Sequence, residues 1–211
     1  MNMKNLIIIG AGGMGRVMND MARESLGYGK EFCIKGFIDD DQNALKDFSG
    51  YPELLSTISN YAVEKEDIFI CSIGGLGRKN CMMRIIEKGG EFINLIHKDA
   101  RIGTGVKMGK GNIVGAFTTI AANAEIGNYN FIQSYTIVGH DVVIGDWNRI
   151  DSRVMCVGGI RIGNENMIHT SAVLNHNVTV GDNTHVGACS FVINNVPNGV
   201  SVFGNPARRL K

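Results

Sequence analysis

From residue 102 to residue 192 every sixth position is apolar: Ile102, Met108, Val114, Ile120, Ile126, Ile132, Val138, Ile144, Ile150, Cys156, Ile162, Ile168, Leu174, Val180, Val186 and Val192. In a chain that is 44% hydrophobic, sixteen hits in one register would arise by chance about twice in a million, so the run is an internal repeat. A period of six fits neither a helix nor a plain strand, so each repeat is one short strand plus a corner, and the stack is a β-solenoid. Gly often follows the anchor, as at Gly103, Gly109, Gly127, Gly145, Gly163 and Gly181, where a tight corner leaves little room for a Cβ. Every third repeat sharpens the pattern. Gly109, Gly127, Gly145 and Gly163 each have an Asn three residues on (Asn112, Asn130, Asn148, Asn166), which predicts left-handed backbone at one corner of a triangular 18-residue coil.

The rest of the chain bounds the answer. Its 211 residues allow two small domains, and 21 basic against 20 acidic residues give a net charge of +1. Such a balance offers no field to gather nucleic acid or an anionic membrane. Leu6–Ile9 is too short for a signal-peptide core or a membrane span, so the expected location is cytoplasmic. Five cysteines without a CxxC pair read as buried, reduced thiols.

Leu6–Ile9 reads as a buried strand. Gly10-Ala11-Gly12-Gly13-Met14-Gly15 follows at once and runs into a helix over 13–25, the context in which a GxGxxG loop offers backbone N–H groups to a phosphate. A second strand, 32–38, ends in Asp39-Asp40-Asp41, and a third, 67–73, ends in Gly74-Gly75. Three strand ends thus converge on one crevice. Only about 95 residues precede the solenoid, half of a two-mononucleotide dehydrogenase fold, so a nucleotide-sugar fits this crevice better than a nicotinamide.

In the solenoid, Val138-Gly139-His140-Asp141 stands out. His140 lies two residues after its anchor, at a corner, and there Asp141 can turn back and hold the imidazole in its proton-accepting tautomer. Acetyl transfer needs such a base, because the acceptor must lose a proton as it attacks a thioester. His176, two coils later, lies roughly 10 Å away on one face, too far to share a metal within a subunit.

The Gly-His-Asp run, the following Ile144-Gly145-Asp146, the pair Gly158-Gly159 and the ending Val202-Phe203-Gly204-Asn205-Pro206-Ala207-Arg208 resemble the sialic-acid O-acetyltransferase and UDP-4-amino-sugar N-acetyltransferase family of hexapeptide-repeat acyltransferases. The likeness extends to the glycine-rich opening. It implies an α/β Rossmann-like βαβ domain over 1–97, an all-β left-handed parallel β-helix over 98–195 and a C-terminal tail over 196–211. It also implies a homotrimer with acetyl-CoA between adjacent helices and no metal. Carried over, His140 is the general base and Asp141 its partner, while Gly158 presents its N–H to the thioester. Arg149, Thr170 and Ala188 match cofactor-lining positions, and Gly12, Gly13, Met14, Asp39, Asp40 and Gly74 match positions that hold a nucleotide-sugar. Two departures stand out: the family often has His where Arg149 and Met14 stand. The implied reaction is acetyl transfer from acetyl-CoA to the amino group of a nucleotide-activated sugar, with sugar O-acetylation as the alternative. A γ-carbonic-anhydrase-like zinc enzyme and a non-catalytic trimeric scaffold are the competing readings.

Overall fold

A computed structural model describes residues 3–75 and 77–210, which divide into two compact units, one ending at Leu95 and one beginning at Ile96.

The first unit is a parallel sheet with helical connections. Its elements are β1 (Lys4–Ile9), α1 (Gly13–Arg23), β2 (Phe32–Ile38), β3 (Leu54–Ser56), β4 (Asp67–Cys71), α2 (Gly77–Glu87) and β5 (Glu91–Phe92), with strand order β3-β2-β1-β4-β5. β1 is central and pairs in parallel with β2 and β4, and Leu6 to Ile9 are wholly buried, as an uninterrupted apolar run in a covered parallel sheet must be. The short edge strands β3 and β5 left no periodic signal in the sequence. β4 stops at Cys71, two residues before the expected end, because the Ser72 hydroxyl turns to donate to the carbonyls of Ile9 (2.8 Å) and Gly10 (3.0 Å). α1 stops at Arg23, and the Ser25 hydroxyl donates to the Met21 carbonyl at 2.8 Å. The strand order reverses between β1 and β4, so the crevice beyond their carboxyl ends is the site where such sheets hold ligands.

The second unit is a three-faced parallel solenoid of two-residue strands. The first face stacks Arg101–Ile102, Thr119–Ile120, Ile137–Val138, Met155–Cys156, Val173–Leu174 and Phe191–Val192. The second stacks Lys107–Met108, Glu125–Ile126, Val143–Ile144, Arg161–Ile162 and Thr179–Val180; the third includes Ile113–Val114, Phe131–Ile132, Arg149–Ile150, Met167–Ile168 and His185–Val186. Ser201–Phe203 continues the third face by pairing in parallel with His185–Val186, and Arg208–Arg209 then folds back antiparallel. The second residue of nearly every strand points inward, and the anchors from Val114 to Val192 form one buried core. The first two anchors depart from this: Ile102 is 42% exposed and Met108 only half-buried, since the first coil is stacked on one side only within the solenoid.

The corners correct the expectation about Gly and Asn. Left-handed backbone occurs at the third residue after each anchor, from Gly105 to Cys189, and most of these residues are not glycine: Phe117, Asn123, Tyr129, Tyr135, Asp141, Trp147 and Arg153 all have φ between 57° and 63°. Each such residue costs about 1–2 kcal/mol. The cost is offset by a backbone bond, for example from Tyr135 N to the Ala116 carbonyl (2.9 Å) and from Trp147 N to the Asn128 carbonyl (2.9 Å), one coil earlier. The glycines after the anchors have ordinary φ and are required by closeness instead: a Cβ on Gly127 would lie 2.6 Å from the Gly145 carbonyl oxygen, and one on Gly145 2.7 Å from that of Gly163. The asparagines are interior. Asn130 donates its amide N–H (2.8 Å) and its Nδ2 (3.1 Å) to Asn112 Oδ1, Asn148 repeats the contact on Asn130, and Thr184 closes the ladder on Asn166 Oδ1 at 2.8 Å. This ladder satisfies corner groups that would be costly to bury unpaired.

Candidate active site

The second-face corner is uniform. Two residues after each anchor stand Lys110, Asn128, Asp146, Asn164 and Asp182, and the side-chain Oδ1 of each of the last four accepts the N–H one coil earlier. Lys110 N meets Asn128 at 3.0 Å, Asn128 N meets Asp146 at 2.6 Å, Asp146 N meets Asn164 at 2.8 Å and Asn164 N meets Asp182 at 2.6 Å. The same position at the first-face corner reads Thr104, Ala122, His140, Gly158 and His176, and the ladder is absent. Among the described residues the Gly158 N–H has no backbone partner.

Here the chain places His140. Asp141 adopts φ 58° and donates its own N–H to the Ala122 carbonyl at 3.1 Å. That turn brings its Oδ2 to 2.7 Å from His140 Nδ1, although adjacent residues in a flat strand would point apart. With Nδ1 donating its hydrogen to the carboxylate, Nε2 carries the lone pair. The ring edge lies over Gly158: a Cβ on that residue would collide with Nε2 and stand 2.6 Å from Cε1. The corner therefore sets a proton acceptor beside an unused backbone donor. Both side chains are well exposed, 65% for His140 and 60% for Asp141, so the pair is open to a ligand in the isolated chain.

The other expected solenoid residues lie elsewhere on the coil. Thr170 and Ala188 are exposed at the third-face corner, at the opposite edge of the first face from His140. Arg149 points outward from the third face, where its Nε donates to Asp151 Oδ1 at 2.7 Å. Asp151 was not among the expected site residues. Its signal was present, because the residue after the anchor at this corner reads Gly115, Gln133, Asp151, His169, Gly187, whereas the second corner keeps glycine throughout.

In the first unit, the glycine loop divides by role. Gly10 has φ 95°, and a Cβ on Gly15 would overlap the Gly10 carbonyl group, so these two glycines serve the turn and the packing of α1 on β1. A Cβ on Gly12 would meet nothing within 4 Å, and one on Gly13 only the end of Arg16 at 3.9 Å. Gly12 is the N-cap of α1, and Met14 is 36% exposed, so this helix end is open to a ligand. Asp39 accepts the Ala11 N–H at 2.7 Å and the Asp41 N–H at 2.9 Å, which ties the loop to the end of β2. Asp40 accepts the Ile58 N–H at 3.0 Å and lies 3.5 Å from Arg84, while Gly74 is exposed at the end of β4.

Comparison with known proteins finds relatives of both units. Residues 5–85 match the PglD N-terminal domain, and residues 159–194 match the bacterial transferase hexapeptide repeats. The structure is similar to the acetyltransferase domain of PglB from Neisseria gonorrhoeae in complex with acetyl coenzyme A, with a TM-score of 0.88 and 28% identity over 99% of this chain and 100% of that one. The chain is an acetyltransferase built on hexapeptide repeats. This acetyltransferase is also similar to WeeI from Acinetobacter baumannii, with a TM-score of 0.85 and 27% identity over 99% and 100% of the two chains. A perosamine N-acetyltransferase from Caulobacter crescentus, solved with CoA and GDP-perosamine, shares the fold at a TM-score of 0.89 and 23% identity over 100% and 98%. No curated protein matched the sequence. Among the described residues no cluster of His, Cys, Asp or Glu could hold a metal ion, and no helix is long and apolar enough to cross a membrane.

Proposed function

We propose that the chain transfers an acetyl group from acetyl-CoA to the amino group of a nucleotide-activated sugar, by direct attack and with His140 as general base. The observation that carries this reading is the His140–Asp141 pair, whose free Nε2 lies against Gly158. In the reaction the sugar amine attacks the thioester carbonyl while Nε2 takes its proton. The new oxyanion is stabilised by the Gly158 N–H, and the C–S bond then breaks with the imidazolium returning the proton to the departing thiolate. Asp141 keeps the imidazole oriented and stabilises its charged form.

The acceptor is held by the first unit: the open N-terminus of α1 at Gly12, Gly13 and Met14 receives the pyrophosphate, with Asp39, Asp40 and Gly74 around the sugar nucleotide. Acetyl-CoA is held by Arg149, Gly158, Thr170 and Ala188. Since His140 and Thr170 stand at opposite edges of one face, a homotrimer brings the His140 corner of one copy to the Thr170 corner of the next, in the cleft between copies. The outward row of that face supports such packing, with Ile137 and Met155 each 40% exposed. The neighbours solved with acetyl coenzyme A or with CoA and GDP-perosamine support the choice of substrates.

The test is acetyl-CoA consumption by the full chain against UDP-, dTDP- and GDP-linked amino sugars, with CMP-sialic acid and free sialic acid alongside. Turnover with an amino sugar, lost when the amine is replaced by a hydroxyl, is expected. Turnover only on hydroxyl acceptors would overturn the N-acetyl reading.

A further inference from the structure

At the third-face corner, Gln133, Asp151 and His169 occupy the same position on three consecutive coils, where the flanking coils have Gly115 and Gly187. The Asp151 side chain is only 8% exposed, yet it gathers three donors. Oδ1 accepts from Gln133 Nε2 at 2.9 Å and from Arg149 Nε at 2.7 Å, while Oδ2 lies 3.1 Å from His169 Nδ1. Ser152 Oγ in turn donates to Gln133 Oε1 at 3.1 Å, which fixes the amide orientation. A carboxylate this deeply buried is costly unless paired, and here Arg149 supplies the charge. Among the described residues only one of the five guanidinium N–H groups is used. The terminal nitrogens of Arg149 and Nε2 of His169 have no partner among the described residues, and these side chains remain 31% and 39% exposed. One buried carboxylate thus holds two outward-facing polar groups from two coils in fixed positions.

We propose that Asp151 is a positioning residue for acetyl-CoA: it fixes Arg149 and His169 as a two-pronged clamp on an oxygen acceptor of the coenzyme. The proposal rests on the acetyl-CoA reading above. The physical gain is preorganisation. A long arginine left free would lose rotamer freedom on binding, whereas one already held through Nε offers its remaining donors at lower entropic cost.

The experiment is calorimetric titration of full-length wild type, Asp151→Asn and His169→Ala with CoA and with pantetheine, together with melting temperatures and the split of KM for acetyl-CoA against kcat. Asp151→Asn should weaken CoA binding about tenfold, the effect of losing a hydrogen-bonded charged partner, and raise KM while kcat at saturation holds. His169→Ala, at a partly exposed site, should weaken it about threefold without altering the melting temperature. A loss seen with CoA but not pantetheine places the acceptor on the phosphates; an equal loss with both places it on a pantetheine carbonyl. Unchanged CoA affinity in Asp151→Asn, or a fall in kcat and melting temperature with no change in affinity, overturns the proposal. If Asp151→Asn does not fold, unchanged affinity in His169→Ala overturns it. Wild-type chain that binds no CoA would instead defeat the functional reading itself.

Discussion

The first and second corners of the solenoid are built from the same six-residue repeat, yet they carry different burdens. At the second, Asn128, Asp146, Asn164 and Asp182 each accept the N–H of the coil before, and the glycines beside them let the coils approach. At the first, that position carries Ala122, His140, Gly158 and His176, and the corner amide at Gly158 is left for something else. The third corner likewise leaves this amide without a partner among the described residues, so what distinguishes the first is the His140–Asp141 pair standing over Gly158. The backbone beneath is the same in the first two: the left-handed residue is Asp141 at one and Trp147 at the other, with φ of 58° and 63°.

Substitutions at matched positions can break or sharpen this contrast. After removal of His140 itself, the largest effect is expected from Gly158→Ala, whose Cβ meets the flexible His140 ring, so the imidazole shifts while the coil stays. A misplacement of this size should lower kcat about 10²-fold with little change in melting temperature, as steady-state kinetics and calorimetry would show. A substitution in the shared core should do the reverse. Ile150→Ala, at a wholly buried anchor, should cost about 2–5 kcal/mol in urea unfolding while turnover per folded molecule is retained. Asn148→Ala breaks the interior ladder on both sides and should cost about 1–3 kcal/mol by the same measurement.

A further effect is a pH dependence that neither corner controls. Burial raises the Cys156 thiol to about 12 and that of Cys71 to about 11, from an ordinary value of 9. A raised value in the folded chain means the native state keeps protons that the unfolded chain releases, so stability is complete below pH 9 and declines as pH rises from 9 through 11 towards 12. Urea midpoints across that range should fall. A flat profile would mean that these thiols are not sealed in the core.

The solenoid was legible in the sequence because its core demands one apolar residue every six, and the demand holds from Val114 to Val192. The His140–Asp141 pair proposed for catalysis stood out for the opposite reason, as a Gly-His-Asp corner that the repeat itself does not require. The origin of the left-handed corners was not. Their conformation is held by hydrogen bonds to the preceding coil, so residues as unlike as Tyr135, Trp147 and Arg153 adopt it, and no residue preference announces it. The Gln133–Asp151–His169 column escaped for a related reason. Its members are 18 residues apart, and only stacking makes them neighbours. In the first unit, the glycine loop was legible as a motif, but its division into packing glycines, Gly10 and Gly15, and open ones, Gly12 and Gly13, needed three-dimensional closeness.

The contrast between the corners is tested most directly by kcat and melting temperature measured side by side for His140→Ala and Asp146→Ala. His140→Ala should lower kcat about 10²- to 10⁴-fold and leave melting unchanged, as loss of a general base would. Asp146→Ala removes the acceptor of the Asn128 N–H and Nδ2, and should lower melting by about 2–4 °C with kcat intact. Full activity in His140→Ala, or a collapse of activity in Asp146→Ala without loss of stability, would contradict the assignment of chemistry to the first corner and support to the second.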